Sequence, residues 1–246
     1  LLRNFRILMS FAIPTSKLDD TTLLTQITSL RETAIATLKT YHQFLREMGP
    51  DELIEWCAIL LNPHETMLKG VAPRVGYDDG RRIRNQMIYP TTVMRHTESG
   101  LLYGLPQRGS EIMTHSMSVM RYPKACTLHT MGSLIGDYMQ TALGYTSPFA
   151  ITVAIVAQDY EATRNKTQMV AARATQKADS PMARFMPELQ DIKHDWDLAQ
   201  HSFDDGKGTC KMLHQLLLFA PPKEVSKAEQ SAQAVWRAKE FEIIDD

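Results

Sequence analysis

Residues 212–243 read MLHQLLLFAPPKEVSKAEQSAQAVWRAKEFEI, and this stretch decides the fold. Met212 to Phe219 is an apolar run of strand length, bounded by Pro221-Pro222, and is expected to be a buried strand. Proline is tolerated in the first turn of a helix, where its missing N–H costs nothing, so the pair opens a helix through Trp236. Phe241 to Ile243 supplies a final strand. Upstream, Phe149, Ile151, Val153 and Ile155 alternate while Ala150, Ala154 and Val156 are also apolar, which predicts a strand buried on both faces. Between the two strands lie a charged helix from about Tyr160 to Ala178, broken by Ser180-Pro181, and a second helix. The second carries the stripe Phe185, Leu189, Ile192, Trp196, Ala199 and Phe203, and ends at Gly206 and Gly208. Strand, helices, strand, helix, strand implies crossover connections, right-handed where strands are parallel. The expected class is α+β, a mixed sheet with helices packed on it.

Working back toward the start, Phe5, Ile7, Met9 and Phe11 alternate within Leu1 to Ile13, an N-terminal strand candidate ended by Pro14. Leu23, Ile27, Leu30, Ala34, Leu38, Tyr41 and Leu45 recur at helical steps. Gly49-Pro50-Asp51 ends that helix and starts another carrying Leu53, Trp56, Cys57, Leu60 and Leu61, which halts at Asn62-Pro63, so the pair reads as a helical hairpin. From Pro73, glycines punctuate short β-like runs such as Met87-Ile88-Tyr89 and Ile112 to Tyr122, a meander. A helix through Leu128, Met131, Leu134, Ile135, Tyr138 and Met139 closes at Gly144. Two subdomains follow from this order, residues 1–125 and 126–246, with a border that one continuous domain would also accommodate.

Composition narrows the function classes. Over 246 residues, 43% hydrophobic and 22% charged is ordinary globular usage. Lys+Arg 27 against Asp+Glu 28 leaves no global basic footprint of the kind that grips nucleic acid. Three widely spaced cysteines form neither a disulfide framework nor a four-cysteine zinc site, so a reducing, cytosolic compartment is expected. No apolar run has the length of a membrane helix. Most of the 14 methionines, among them Met113, Met117, Met120, Met131, Met139, Met182 and Met186, sit at core-like spacings and are expected to fill the core. The chain begins at Leu1, as expected of a piece of something longer.

Chemistry is sparse. Asp204-Asp205-Gly206-Lys207-Gly208-Thr209 resembles the end of a phosphate-binding loop, but His201 stands where the first glycine is required and Gly208 follows the lysine in place of Ser or Thr. A helix C-terminal glycine turn explains it better. With no Walker A motif, no nucleotide or metal cofactor is expected in this chain. His194, Asp197 and His201 share one helix face and could chelate a metal, although a solvated polar face explains the same residues without one. Cys57 and Cys126 in apolar surroundings, and Cys210 at the head of an apolar strand, read as inert buried thiols. No Gly-x-Ser-x-Gly occurs. Arg81, Arg82 and Arg84 are the densest basic cluster, either a solvated turn or the contact for an anionic partner.

A series of short elements runs along the chain: Leu2-Arg3-Asn4-Phe5-Arg6, Leu60-Leu61-Asn62-Pro63, Tyr77-Asp78 with Gln86, Pro123 and Ile135-Gly136-Asp137. It continues through Ser147-Pro148-Phe149 leading into Ile151-Thr152, then Asp195-Trp196, Gly206, Leu218-Phe219-Ala220 and Phe241-Glu242-Ile243. In their order and spacing these make the chain as a whole resemble the region preceding the motor domain in the TraC/VirB-type conjugation ATPases of type IV secretion systems, F-type branch. The resemblance implies an α+β module ahead of a RecA-like motor that hydrolyses ATP, with ATP and Mg²⁺ held only by that motor. No catalytic residue of the family falls within this chain. The implied role is docking to inner-membrane components of the secretion apparatus and assembly with its own motor and with further copies, in the cytoplasm and peripheral to the inner membrane. The alternatives are a nucleic-acid-binding adaptor using Arg81, Arg82 and Arg84, and a metalloenzyme using His194, Asp197 and His201. DNA is a possible partner that the charge balance does not indicate.

Overall fold

A computed structural model describes residues 6–12, 19–41, 46–71, 73, 76–106, 109–123, 128–137 and 140–245. The chain divides into two units, Leu1–Leu53 and Ile54–Asp246.

In the first unit, helix α1 spans Asp20–Tyr41, with Asp20 in its first turn and Lys39 in its last, both favourable to the helix dipole. Its apolar stripe does not form a core: Leu23, Leu30, Ala34 and Leu38 are half-buried, and Leu24 and Ile27 are exposed. Arg31 donates from Nε and Nη2 to one Glu47 oxygen, at 3.0 and 2.6 Å. The expected N-terminal strand is absent from Arg6–Ala12, the described part of that stretch, where Ile7, Met9 and Phe11 are exposed. Alternation alone makes no strand without a neighbour to satisfy its backbone groups. Helix α2 (Pro50–Leu61) starts on the predicted proline, with Asp51 and Glu52 in its first turn, and continues past Leu53 into the second unit.

The second unit holds the rest: α3 (Pro63–Thr66), α4 (Ile83–Met87), β1 (Met94–Thr97), β2 (Gly100–Tyr103), β3 (Ile112–Arg121), α5 (Leu128–Ser133) and β4 (Phe149–Ala157). After them come α6 (Tyr160–Ala178), α7 (Glu188–Asp204), β5 (Cys210–Ala220), α8 (Val225–Arg237) and β6 (Glu242–Asp245). The expected run at Met87-Ile88-Tyr89 is not a strand, because α4 ends there instead. The helix expected to reach Met139 stops at Ser133; Gly136 follows at φ +98°, and Tyr138 and Met139 lie outside the described residues.

The six strands among the described residues form one sheet in the order β1-β2-β3-β5-β4, with β6 also on β3, so it joins both sides of residue 125. The protein is α+β, but every described strand pair is antiparallel, where a mixed sheet was expected. The helix count explains the direction. Helices α6 and α7 pack chiefly against each other as a hairpin, so the chain returns to where it left and β5 runs back along β4 from Ala157↔Cys210 to Phe149↔Leu218. A single helix, α8, joins β5 to β6. These two strands run the same way but are separated by β3, antiparallel to both. The crossover therefore exists and steps over one strand.

Helix α8 buries Val225, Ala228, Ala232, Val235 and Trp236, a stripe at helical spacing, against Met117, Leu216 and Leu218 of the sheet. The opposite sheet face carries Tyr103, Ile112 and Phe219, with Leu60 and Met67 packed on them. Helix α6 turns Thr167, Ala171, Ala174 and Ala178 inward, and Asp159 caps it by accepting from the Ala162 N–H at 2.7 Å. Strand β4 departs most from expectation. It is an outer strand, and past Ile151 its residues are exposed on both faces, Ile155 at 66%. Of the methionines, Met117 is buried and Met113 and Met131 pack on the same core, whereas Met120, Met169, Met186 and Met212 are exposed.

Candidate functional site

The basic cluster Arg81, Arg82 and Arg84 sits where α4 begins, with Arg82 at its N-cap and all three side chains exposed. Its backbone is anchored through one side chain. Gln86 accepts from the Asp78 N–H at 2.8 Å and donates to the Asp78 and Arg81 carbonyls, each at 2.9 Å. Asp78 in turn accepts from the Gly80 N–H at 2.9 Å, an Asx turn. One amide therefore bridges both ends of the turn, so the three guanidinium groups project from a braced loop.

A second latch ties α4 to the core. Asn62, fully buried, donates to the Ala58 and Met87 carbonyls, both at 2.7 Å, and accepts from the Tyr89 N–H at 2.8 Å and the Thr92 hydroxyl. It satisfies the carbonyl near the end of α2 and that at the end of α4 with one amide group, which is why a polar residue is tolerated in this interior. Neither Asn62 nor Gln86 has a local chemical motif around it; Gln86 reaches partners 5 and 8 residues away, whereas the role of Asn62 appears only once Met87 and Tyr89, 25 and 27 residues away, are brought to it.

The phosphate-loop resemblance resolves as a helix end. Gly206 takes φ +74°, its N–H donates to the Phe203 carbonyl at 2.9 Å, and the Lys207 N–H donates to the Ser202 carbonyl at 2.9 Å. These two bonds make a Schellman motif, which closes α7 and leads into β5. Lys207 Nζ pairs with Asp205 at 2.9 Å, and this bond holds the Asp205 carboxyl below the usual carboxylate range.

His194 and His201 are exposed on α7 and Asp197 is half-buried. The described residues that bring a histidine and two carboxylates together are different ones: His115, Glu229 and Asp245, on β3, α8 and β6. No spacing in the sequence could have found them. Cys57 is half-buried and Cys210 exposed, against the buried thiol expected there, because β5 leaves the core at its N-terminal end; Cys126 lies outside the described residues.

Two further histidines are deeply buried. His64 has neither ring nitrogen hydrogen-bonded, and His214 sits among Tyr122, Trp236 and Phe241 with Nδ1 3.2 Å from the Tyr122 hydroxyl. Burial pushes both imidazoles below their ordinary value, and for His64 Glu65 opposes that shift.

Compared with known proteins, residues 1–246 match the family model described as TraC protein. The chain belongs to the TraC family. Its involvement in conjugative transfer and type IV secretion follows from that membership. No curated protein matches it. Within this TraC chain, several of the residues that carried the resemblance hold structure: Asn62 and Gln86 are the two latches, and Gly206 is the helix-ending glycine.

Proposed function

We propose that this chain is a non-catalytic docking and assembly module of a type IV secretion ATPase, acting in conjugative DNA transfer and pilus assembly. The family match across residues 1–246 carries the reading. The Schellman turn at Asp204–Thr209 supports it, because the segment nearest to a nucleotide loop spends its backbone N–H groups on closing a helix. ATP and Mg²⁺ then belong to a motor domain, and the partners are that motor, inner-membrane components of the apparatus and further copies of the protein. The location is the cytoplasm, peripheral to the inner membrane. Among the described residues no helix is long and apolar enough to cross a membrane, which agrees with attachment through a partner. Calorimetry with Mg²⁺ and ATP tests the non-catalytic part: no binding heat is expected, and micromolar affinity would overturn it.

The exposed Arg81, Arg82 and Arg84 favour one second reading, a nucleic-acid adaptor. Contacts to phosphates release counterions, so such binding must weaken steeply as salt rises. Single-stranded and duplex DNA titrations at two salt concentrations decide it. Salt-dependent binding lost in the triple Arg→Ala variant supports the adaptor, and no binding removes it.

A further inference from the structure

His115 stands where two strands meet end to end. Strand β5 occupies one edge of β3 through Met113–Ser118, so β2 and β6 share the other edge, β2 at Ile112–Thr114 and β6 from Met117 onward. The His115 side chain lies at the break between them, and the residue is only 8% exposed. Its Nδ1 is 2.9 Å from the Ser99 carbonyl in the β1–β2 turn, and its Nε2 is 3.2 Å from Oδ1 of Asp245 on β6. Glu229 follows the buried Ala228 on α8 and completes the group. One ligand atom from each of His115, Glu229 and Asp245 lies within 4.8 Å of the others.

The hydrogen-bond roles here are constrained. A carbonyl oxygen only accepts, so Nδ1 carries the proton it donates to Ser99. Nε2 faces the Asp245 carboxylate, a contact made either by a second ring proton donated to Asp245 or by a cation held between Nε2 and the carboxylate oxygens. An imidazole that gives one N–H to a backbone carbonyl and turns its other nitrogen toward anionic oxygens has the outer-shell support typical of metal-ligating histidines.

We infer that His115, Glu229 and Asp245 form a binding site for a divalent transition-metal ion, with zinc the best match. An imidazole ligand disfavours Mg²⁺ and Ca²⁺, and two carboxylates offset the charge of the ion. Tetrahedral zinc with N and O ligands at about 2.0–2.2 Å places those atoms about 3.4 Å apart, which small side-chain rotations reach from the present spacing. The Asp245 side chain is 56% exposed, which leaves an entry path and room for water as a fourth ligand. The ion joins β3, α8 and β6, so its role is that of a clamp on the last strand. This site is separate from His194, Asp197 and His201.

Zinc titrated by calorimetry into the chelator-stripped 246-residue chain tests the site. The expected result is one ion bound per chain, a raised Tm, and slowed amide exchange in β6. His115→Gln and Glu229→Gln are each expected to weaken binding about tenfold or more, while the His194→Ala/His201→Ala double variant leaves it unchanged. If His115→Gln does not fold, Glu229→Gln, at a half-buried helix position, carries the same comparison. No stoichiometric binding at micromolar zinc, or binding that persists undiminished in Glu229→Gln, overturns the site.

Discussion

The indole N–H of Trp236 on α8 donates to the Tyr145 hydroxyl at 2.8 Å, and that hydroxyl donates to the Leu134 carbonyl at 2.7 Å. All of Trp236 and nearly all of Tyr145 is buried, and the Tyr145 ring stacks on Phe149 of β4 with centroids 3.8 Å apart. One hydroxyl thus connects the helix that covers the sheet to the segment entering β4. Removing it leaves a buried donor and a buried acceptor without this partner. Tyr145→Phe is expected to destabilise the chain by about 1–3 kcal/mol, read as a lower urea midpoint with unchanged slope.

Acid should weaken the fold through His64 and His214. Burial lowers both native values, so the unfolded chain binds more protons than the folded one in the window between. Stability therefore rises with pH there, and is lost on acidification from about 6.5 downward through the depressed native values. His64→Leu removes one titrating group together with two ring nitrogens that have no hydrogen-bond partner. Its denaturation midpoint should vary less between pH 7.5 and pH 5 than that of the parent chain. An unchanged pH dependence would count against the role of His64.

Gly104 follows β2 at φ +96°, and a Cβ built there would lie 2.0 Å from the Ser110 carbonyl oxygen and 3.4 Å from the His64 Cβ. Both the conformation and the space require glycine. Gly104→Ala is expected to cost about 3 kcal/mol or more, seen as a large fall in Tm. Gly49→Ala, where nothing lies within 4 Å of the added carbon, is the control expected to change little.

The β4 side chains offer the opposite case. Ile155 and Val156 are exposed although the sequence pattern put them in a core. Ile155→Lys is expected to alter stability by no more than about 0.5 kcal/mol, and to reduce aggregation by charging an outer strand. A loss comparable to Tyr145→Phe would mean that the strand is covered in solution.

These contrasts show what the sequence carries and what it withholds. Strand β5, helix α8 and the α6–α7 pair are legible because their runs are long and bounded by Pro221-Pro222, Ser180-Pro181 and Gly206. Hydrophobic periodicity reports that a strand is apolar, not whether a neighbour covers it. This is why β4 and Arg6–Ala12 depart from their apolar patterns for opposite reasons, one a strand without cover and the other an alternation without a partner strand. Strand direction depends on how the intervening helices pack and where the next strand docks, which no local pattern encodes. The exposure of Arg81, Arg82 and Arg84 is local, and Gln86 braces their loop across only 8 and 5 residues, whereas the latch on the end of α4 runs from Asn62 to Met87 and Tyr89, 25 and 27 residues away. The His115, Glu229 and Asp245 cluster spans 130 residues between its first and last member and leaves no spacing signature.

The docking role is tested most directly by flotation of the purified chain with inner-membrane vesicles from cells that carry, or lack, the transfer apparatus. The account predicts that the chain floats with vesicles containing the apparatus and stays at the bottom of the gradient with the others. Equal flotation with both kinds of vesicle, or with neither, would contradict it.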